Sequence, residues 1–310
     1  MLRASLLWLS ERQSLAQFIR RNRLAKKLAS RFVAGETPAE GVAAVRELNR
    51  AGISASLDLL GESVANPDEA RQARDTYLET LDRIRAAGVD ANVSVKLTQM
   101  GLDIGEDLAI ENLSAIIERA ASYGSFVRID MESSAYTERT LDLFKRVFYP
   151  RFENAVGVVL QSYLRRTPED VEAMIALGAR VRLCKGAYKE PPELAFPDKR
   201  DVDEMYETCM QRLLDRGNYP GLATHDEKII TAARGFVQAK AIPAERYEFQ
   251  MLYGVRRDLQ LKLRREGYRM RVYVPFGTHW YPYLMRRLAE RPANLAFVAG
   301  NVWRESFGRR

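Results

Sequence analysis

Eight short apolar-rich runs, each followed by a stretch with helical spacing, recur along the chain from Ile53 onward. The first is Ile53–Leu60, with a helix over 68–87 opened by Asn66-Pro67-Asp68. The second is Ala91–Leu97, with a helix near 106–122. The third is Phe126–Met131, with a helix near 137–148. The fourth is Ala155–Gln161, and Thr167-Pro168-Glu169-Asp170 is a start signal for its helix. The fifth is Ala179–Cys184, followed by a longer insertion and a helix near 201–216. The sixth is Gly221–Thr224, with a helix over 226–240. The seventh is Tyr247–Leu252, with a helix to Glu266. The eighth is Arg269–Val274, with a last helix near 280–291. Eight strands alternating with helices, spaced by roughly 25 to 40 residues, predict an α/β protein of the (β/α)₈ barrel type. A doubly wound sheet is the alternative. It usually shows fewer strands, and no glycine-rich dinucleotide fingerprint follows the first strand here.

The 310 residues accommodate this reading as one functional domain, since such a barrel takes about 250 residues. The remainder is a helical N-terminal arm over 1–52, with Leu15, Phe18, Ile19, Leu24 and Leu28 at roughly helical spacing and a second helix after Glu36-Thr37-Pro38. The barrel proper is expected over 53–310. No apolar run approaches the roughly 20 residues needed to span a bilayer. The short apolar stretch Leu6–Leu9 lacks a small-residue cleavage site, so it reads as mature protein. Two cysteines, Cys184 and Cys209, make no disulfide framework and imply cytoplasmic thiols. Two histidines and no carboxylate cluster with ligand spacing predict no metal. The net charge of +7 favours anionic partners, with basic residues gathered over Arg20–Arg31. The same cluster is equally compatible with a solvated helix face.

Active sites of such barrels form at the strands' C-terminal ends. Polar residues gather there: Gly61-Glu62, Lys96, Asp130 and Glu132, Gln161, Arg182 and Lys185, Thr224-His225-Asp226, Gln250, and Tyr273. A charge inside a barrel mouth needs a partner, because desolvation is costly. Lys96 and Asp130, on adjacent strands, are therefore expected to pair. In Lys185-Gly186-Ala187-Tyr188 the small residues allow close backbone approach to a ligand. With Arg182 and Lys185 beside them, the segment suits a phosphate or another anion. The last helix carries Tyr283, Arg286, Arg287 and Glu290; alone, these form an ordinary arginine–glutamate surface pattern.

Taken in order, these segments resemble the proline dehydrogenase family. The carrying motifs are Leu57-Asp58-Leu59-Leu60-Gly61-Glu62, Ser94-Val95-Lys96-Leu97, Arg128-Ile129-Asp130-Met131-Glu132, Leu160-Gln161-Ser162-Tyr163-Leu164, Val181-Arg182-Leu183-Cys184-Lys185-Gly186-Ala187-Tyr188, Ala223-Thr224-His225, Phe249-Gln250-Met251-Leu252-Tyr253-Gly254, Val272-Tyr273-Val274-Pro275-Phe276-Gly277 and Tyr283-Leu284-Met285-Arg286-Arg287-Leu288-Ala289-Glu290. The resemblance implies FAD-dependent oxidation of L-proline to Δ1-pyrroline-5-carboxylate by hydride transfer to the flavin. It implies that Arg286 and Arg287 bind the substrate carboxylate, for which the planar guanidinium fork is suited. Lys96 and Asp130 would pair in the pocket. Tyr273, Tyr283 and Leu252 would wall the ring, and Glu62 would pair with Arg286 to close the site. Catalytic roles fall on Asp130, Arg182 and Lys96. Arg182 would lie near the reactive flavin nitrogen. Gln161, Lys185, Gly186, Ala187, Tyr188, Thr224, His225 and Gln250 would hold FAD, with Met131 beside it.

The resemblance also implies a membrane quinone as electron acceptor, pyrroline-5-carboxylate dehydrogenase as the downstream enzyme, and no nucleic-acid partner. The expected location is the cytoplasm, with peripheral contact at the inner face of the cytoplasmic membrane through the basic N-terminal helix. Two features differ from bifunctional members. Lys189 stands where they carry tryptophan, and the loop Gly277–Tyr283 is shorter. With no aldehyde dehydrogenase domain and no DNA-binding arm, the chain is similar to the monofunctional bacterial form. Competing readings are a Schiff-base aldolase using Lys96 or Lys185, and a basic nucleic-acid-binding protein. The second lacks a binding motif and a contiguous basic stripe.

Overall fold

The structure, a computed structural model, describes residues 29–290. Eight parallel strands close into a barrel in sequence order, β1 pairing with both β2 and β8. They are β1 (Ser54–Leu59), β2 (Ala91–Val95), β3 (Val127–Ile129), β4 (Val156–Gln161), β5 (Arg180–Cys184), β6 (Gly221–Ala223), β7 (Glu248–Leu252) and β8 (Met270–Phe276). The helices longer than one turn are α1 (Pro38–Arg50), α2 (Pro67–Ala87), α3 (Glu106–Ser122), α4 (Ser134–Leu143), α5 (Thr167–Leu177), α6 (Lys199–Arg216), α7 (Glu227–Ala239), α8 (Arg257–Arg265) and α9 (Trp280–Glu290). The expected (β/α)₈ barrel is therefore present. Some bounds move. β3 and β6 are shorter than expected, and β8 runs on to Phe276. The helix after β3 begins at Ser134 and passes through a π turn at Phe144–Phe148.

Helix starts follow local chemistry. Thr37 and Glu40 form a reciprocal capping box around Pro38, which opens α1. Asn66 accepts from the backbone N–H groups of Asp68 and Glu69, and Gly88 ends α2 in the left-handed region. Of the expected N-terminal arm, the segment with Leu15 to Leu28 lies outside the described residues. α1, however, packs against β1 and β8. Its Val42 and Val45 join the same core as the strands, whose outward side chains (Leu57, Val93, Ile129, Val158, Leu183, Phe249, Val272) are fully buried under the helices.

The barrel interior is polar. Side chains from β1, β2, β3, β5 and β7 meet there by hydrogen bonds: Arg182 donates to Gln250 (2.5 Å), to Asp130 (2.8 Å), to Ser94 (3.1 Å) and to Ser56 (3.4 Å). Since β5 adjoins only β4 and β6, the contacts of Arg182 cross the barrel. Several strands thus alternate a polar inward residue with an apolar outward one, as in Arg180-Val181-Arg182-Leu183.

Replacing Asn66 by alanine removes the acceptor for two orphan N–H groups of α2. It is expected to lower stability by about 1 kcal/mol. Urea unfolding of the two proteins, with an unchanged slope, checks this; no loss would show that Pro67 suffices to start the helix.

Candidate active site

A cavity of about 860 Å³ opens at the strands' C-terminal ends. Its walls come from every strand except β8's first half, and also from His279 and from α9, which brings Pro282, Tyr283 and Arg287 over the mouth. The last helix is therefore not an outer surface element. Its first turns are buried at Trp280, Tyr281, Tyr283, Leu284 and Met285, and Trp280 ties it to Glu36 at 3.2 Å. The side chain of Arg286 lies outside the described residues, and with it the expected pairing to Glu62. Glu62 itself lines the cavity.

Two ion pairs form the floor. The expected pairing of Lys96 with Asp130 is not the one observed. Lys96 donates to Asp58 at 2.7 Å, while Asp130 accepts from Arg182 at 2.8 Å and from the Tyr273 hydroxyl at 2.7 Å. The reason is register. Asp58 is the Cα partner of Ser94, so Lys96 stands one inward position above it. Asp130 instead faces Arg182 across the barrel. Asp58 is 1% exposed and is a site residue that the strand-end expectation does not include. Its inward parity with Ser54 and Ser56 was the available signal. Burial acts against the Lys96 ammonium, but Asp58 and then Asp130 outweigh it and hold its pKa well above the ordinary lysine value. Burial pushes the Asp58 carboxyl up against the pull of Lys96. Tyr273 is likewise driven up, by burial and by Asp130, so its hydroxyl stays a donor.

The opposite wall collects Met131, Gln161, Lys185, Gly186, Ala187, Tyr188, Thr224 and His225, and Leu252 borders it. All of these expected residues line one cavity. Their commitments differ from the sequence expectation in three places. Arg182 and Lys185 do not form a joint anion spot, because Lys185 is already paired with Asp203 (2.5 Å) and Asp226 (3.0 Å). Gln250 uses both ends of its amide inside the barrel, accepting from Arg182 and donating to Glu248 at 2.6 Å. It holds Arg182 in place. His225 accepts from the backbone N–H of Leu252 at 2.9 Å through Nε2, so that nitrogen carries no proton. Glu132 is bound to Thr98 through its backbone N–H (3.2 Å) and hydroxyl (2.5 Å).

Two features on this wall are suited to a ligand. The side-chain oxygen of Gln161 is buried and has no hydrogen-bond partner, while its nitrogen donates to Met131 at 3.4 Å. Gly186 sits at φ +102°, a conformation that side chains other than hydrogen resist, and a Cβ there would overlap the Tyr163 ring. Both leave backbone and amide groups turned to the cavity. Cys184 at its edge is free, and burial pushes its thiol up to about 11.

A cavity at the C-terminal ends of barrel strands, floored by paired charges and roofed by an arginine-bearing helix, is the arrangement of a barrel enzyme's active site. Residues 42–300 match the family model described as proline dehydrogenase. "Proline dehydrogenase 1" of Bacillus subtilis subsp. natto is 44% identical over 304 residues, covering 97% of this chain and 99% of that protein. The "Proline dehydrogenase" of Deinococcus radiodurans is 43% identical, covering 96% of each chain. Among solved structures, proline utilization A from Bdellovibrio bacteriovorus, inactivated by N-propargylglycine, superposes with a TM-score of 0.81 at 27% identity. It covers 89% of this chain and 34% of that one. This chain belongs to the proline dehydrogenase family.

Removing Asp58 alone leaves a buried ammonium without its counter-charge. Asp58→Asn is expected to cost about 3 kcal/mol or more, and the double variant Asp58→Asn/Lys96→Met much less than the sum of the two single changes. A double-mutant cycle by chemical denaturation measures this; additive losses would mean that the two charges do not act as a pair.

Proposed function

We propose that this chain oxidises L-proline to Δ1-pyrroline-5-carboxylate with bound FAD and passes the electrons to a membrane quinone. The observation that carries the reading is the single cavity shared by the two floor ion pairs, the α9 residues Tyr283 and Arg287, and the Gln161–Gly186–His225 wall. Its volume of about 860 Å³ is in the range of large cofactor sites. The unpartnered Gln161 oxygen and the glycine cradle at Gly186 fit a flavin, which offers ring N–H donors and a flat face.

In this reading Met131, Gln161, Lys185, Gly186, Ala187, Tyr188, Thr224 and His225 hold the cofactor. Arg182 stands beside it, and Gln250 fixes the guanidinium from below. FAD supplies the oxidant that accepts a hydride from the ring carbon next to the proline nitrogen. The protein's part is position and charge. Arg287, with Arg286, takes the substrate carboxylate. Tyr273, Tyr283 and Leu252 enclose the ring, and Glu62 closes over it. Asp130 keeps Tyr273 and Arg182 in one orientation, so both present fixed faces to the pocket. Lys96 is held charged by Asp58, which keeps the pocket floor neutral as a pair and excludes a role as a neutral amine nucleophile. That argues against the aldolase alternative.

Among the described residues no helix is long and apolar enough to cross a membrane. We place the chain in the cytoplasm, with the basic segment Arg20–Arg31 meeting anionic lipid where the quinone resides. Residues 1–52 serve as the arm and 53–310 as the catalytic barrel. A pyrroline-5-carboxylate dehydrogenase consumes the product.

The purified protein is expected to show a flavin absorption band that bleaches on anaerobic addition of L-proline. A colourless protein, or a band indifferent to proline, would overturn the assignment. Arg287→Met is expected to raise the KM for proline by about tenfold to a hundredfold with the flavin band retained, as loss of a charge-assisted hydrogen bond implies. An unchanged KM would remove Arg287 from the carboxylate site.

A further inference from the structure

The barrel's other mouth holds a second cavity, of about 430 Å³, at the N-terminal ends of β2, β3, β5, β7 and β8. Nothing in the proline reaction uses it. Its walls carry four guanidiniums, Arg85, Arg128, Arg180 and Arg271, against two carboxylates, Asp90 and Glu248, an excess of two positive charges. Both carboxylates are already engaged. Glu248 accepts from Arg271 (2.7 Å), Gln250 (2.6 Å) and Tyr219 (3.1 Å), and Asp90 accepts from Ser54 (2.5 Å).

Arg128 is the group left over. It is 4% exposed. Its Nη1 reaches only the backbone carbonyls of Arg180 (2.5 Å) and Val158 (3.2 Å), and its Nε has no partner. The Nε of Arg180 is also buried without a partner. Burial and the neighbouring Arg182 both disfavour the Arg128 charge, and Glu248 offsets them only in part. The chain nonetheless makes room for it: a Cβ at Gly157 would lie 2.7 Å from the Arg128 Nη1. The guanidiniums are also held in place by rings, Arg128 at 4.8 Å from the Phe126 centroid and Arg180 at 5.3 Å from Phe126 and 5.6 Å from Tyr219. A buried charge with an unmade hydrogen bond, kept rigid at a cavity wall, requires a counter-ion.

We propose that the N-terminal mouth of the barrel is a binding site for a phosphate-class oxyanion, held by Arg128 and Arg180 and screened at the rim by Arg85. Hydrogen phosphate fits the remaining donor and acceptor pattern. Its oxygens take the two orphan guanidinium N–H groups. Its P–OH supplies the donor that the Asn92 side-chain oxygen, buried and unpartnered at the same cavity, lacks. Sulfate has the same shape and charge but no proton to give. The site stands apart from the flavin and proline reading, which occupies the opposite mouth.

The test is equilibrium dialysis of labelled inorganic phosphate against the flavin-loaded enzyme, at fixed pH and with ionic strength held by chloride. One phosphate per chain is expected to bind saturably, and more tightly than sulfate. Arg180→Gln is expected to weaken binding by about tenfold or more, the loss of one charge-assisted hydrogen bond. Arg287→Met, at the other mouth, is expected to leave it intact. Should Arg180→Gln not fold, Arg85→Gln on the exposed rim is expected to weaken binding by a smaller factor. No saturable binding, wild-type binding by the substituted rim or wall, or loss of binding in Arg287→Met would overturn the site. Equal affinity for sulfate would overturn the hydrogen phosphate assignment.

Discussion

Arg182 meets Asp130 at 2.8 Å in the middle of the barrel, and most of the interior is arranged around that contact. Barrels of this kind usually fill their centre with layers of branched apolar side chains. Here the centre is a hydrogen-bonded column. It rises from Arg271 and Glu248 at the N-terminal mouth through Gln250 to Arg182, and from there to Asp130 and Tyr273 at the other mouth. Ser56 and Ser94 bond to each other at 3.0 Å and accept two further hydrogen bonds from Arg182. A buried guanidinium stripped of its partner leaves a penalty of about 3 to 5 kcal/mol. Each residue of the column is therefore held by the one below it, and the pocket floor inherits its geometry from the barrel axis.

That constraint explains which parts of the chain were legible. The strands were, because outward apolar residues alternate with inward polar ones on the same short runs, and turn chemistry such as Asn66-Pro67 marks the helices that follow. Most of the polar strand ends line one cavity at the C-terminal mouth. Pairings were less legible. Lys96 and Asp130 sit on adjacent strands, and sequence adjacency favoured joining them. Register decides otherwise, and register depends on the tilt of the closed sheet rather than on any local motif. Asp58 was missed for the same reason. It is the penultimate residue of β1, and its parity with Ser54 and Ser56 turns it inward.

α9 is the element whose sequence says least about its place. Its apolar residues Trp280, Tyr281, Leu284 and Met285 have the spacing of an ordinary amphipathic helix, which in a barrel packs on the outer wall. α1 already covers β1 and β8, with Gly41 against Leu57 and Phe276. The position that a final helix would take is thus filled from the N-terminal side, and α9 is free to lie across the mouth. The bond from Trp280 to Glu36 and the backbone bond from Gly277 to the Gly35 carbonyl (2.9 Å) join the segment before α1 to the start of α9. The segment before α1 is therefore structural support for the roof of the site.

The two mouths differ in how their charges are balanced. At the C-terminal mouth each inward cation has a carboxylate: Lys96 has Asp58, Arg182 has Asp130, and Lys185 has Asp203 and Asp226. A ligand entering there meets a preorganised, nearly neutral floor and finds orienting groups on the roof and the far wall. At the N-terminal mouth Glu248 alone among the inward-facing groups answers Arg128, Arg180 and Arg271. Gln250 links the two regimes, because one end of its amide bonds Glu248 and the other bonds Arg182. Charge added at the lower mouth acts on the same hydrogen-bonded chain that fixes Arg182. The barrel axis thus joins the two mouths through one continuous hydrogen-bonded chain.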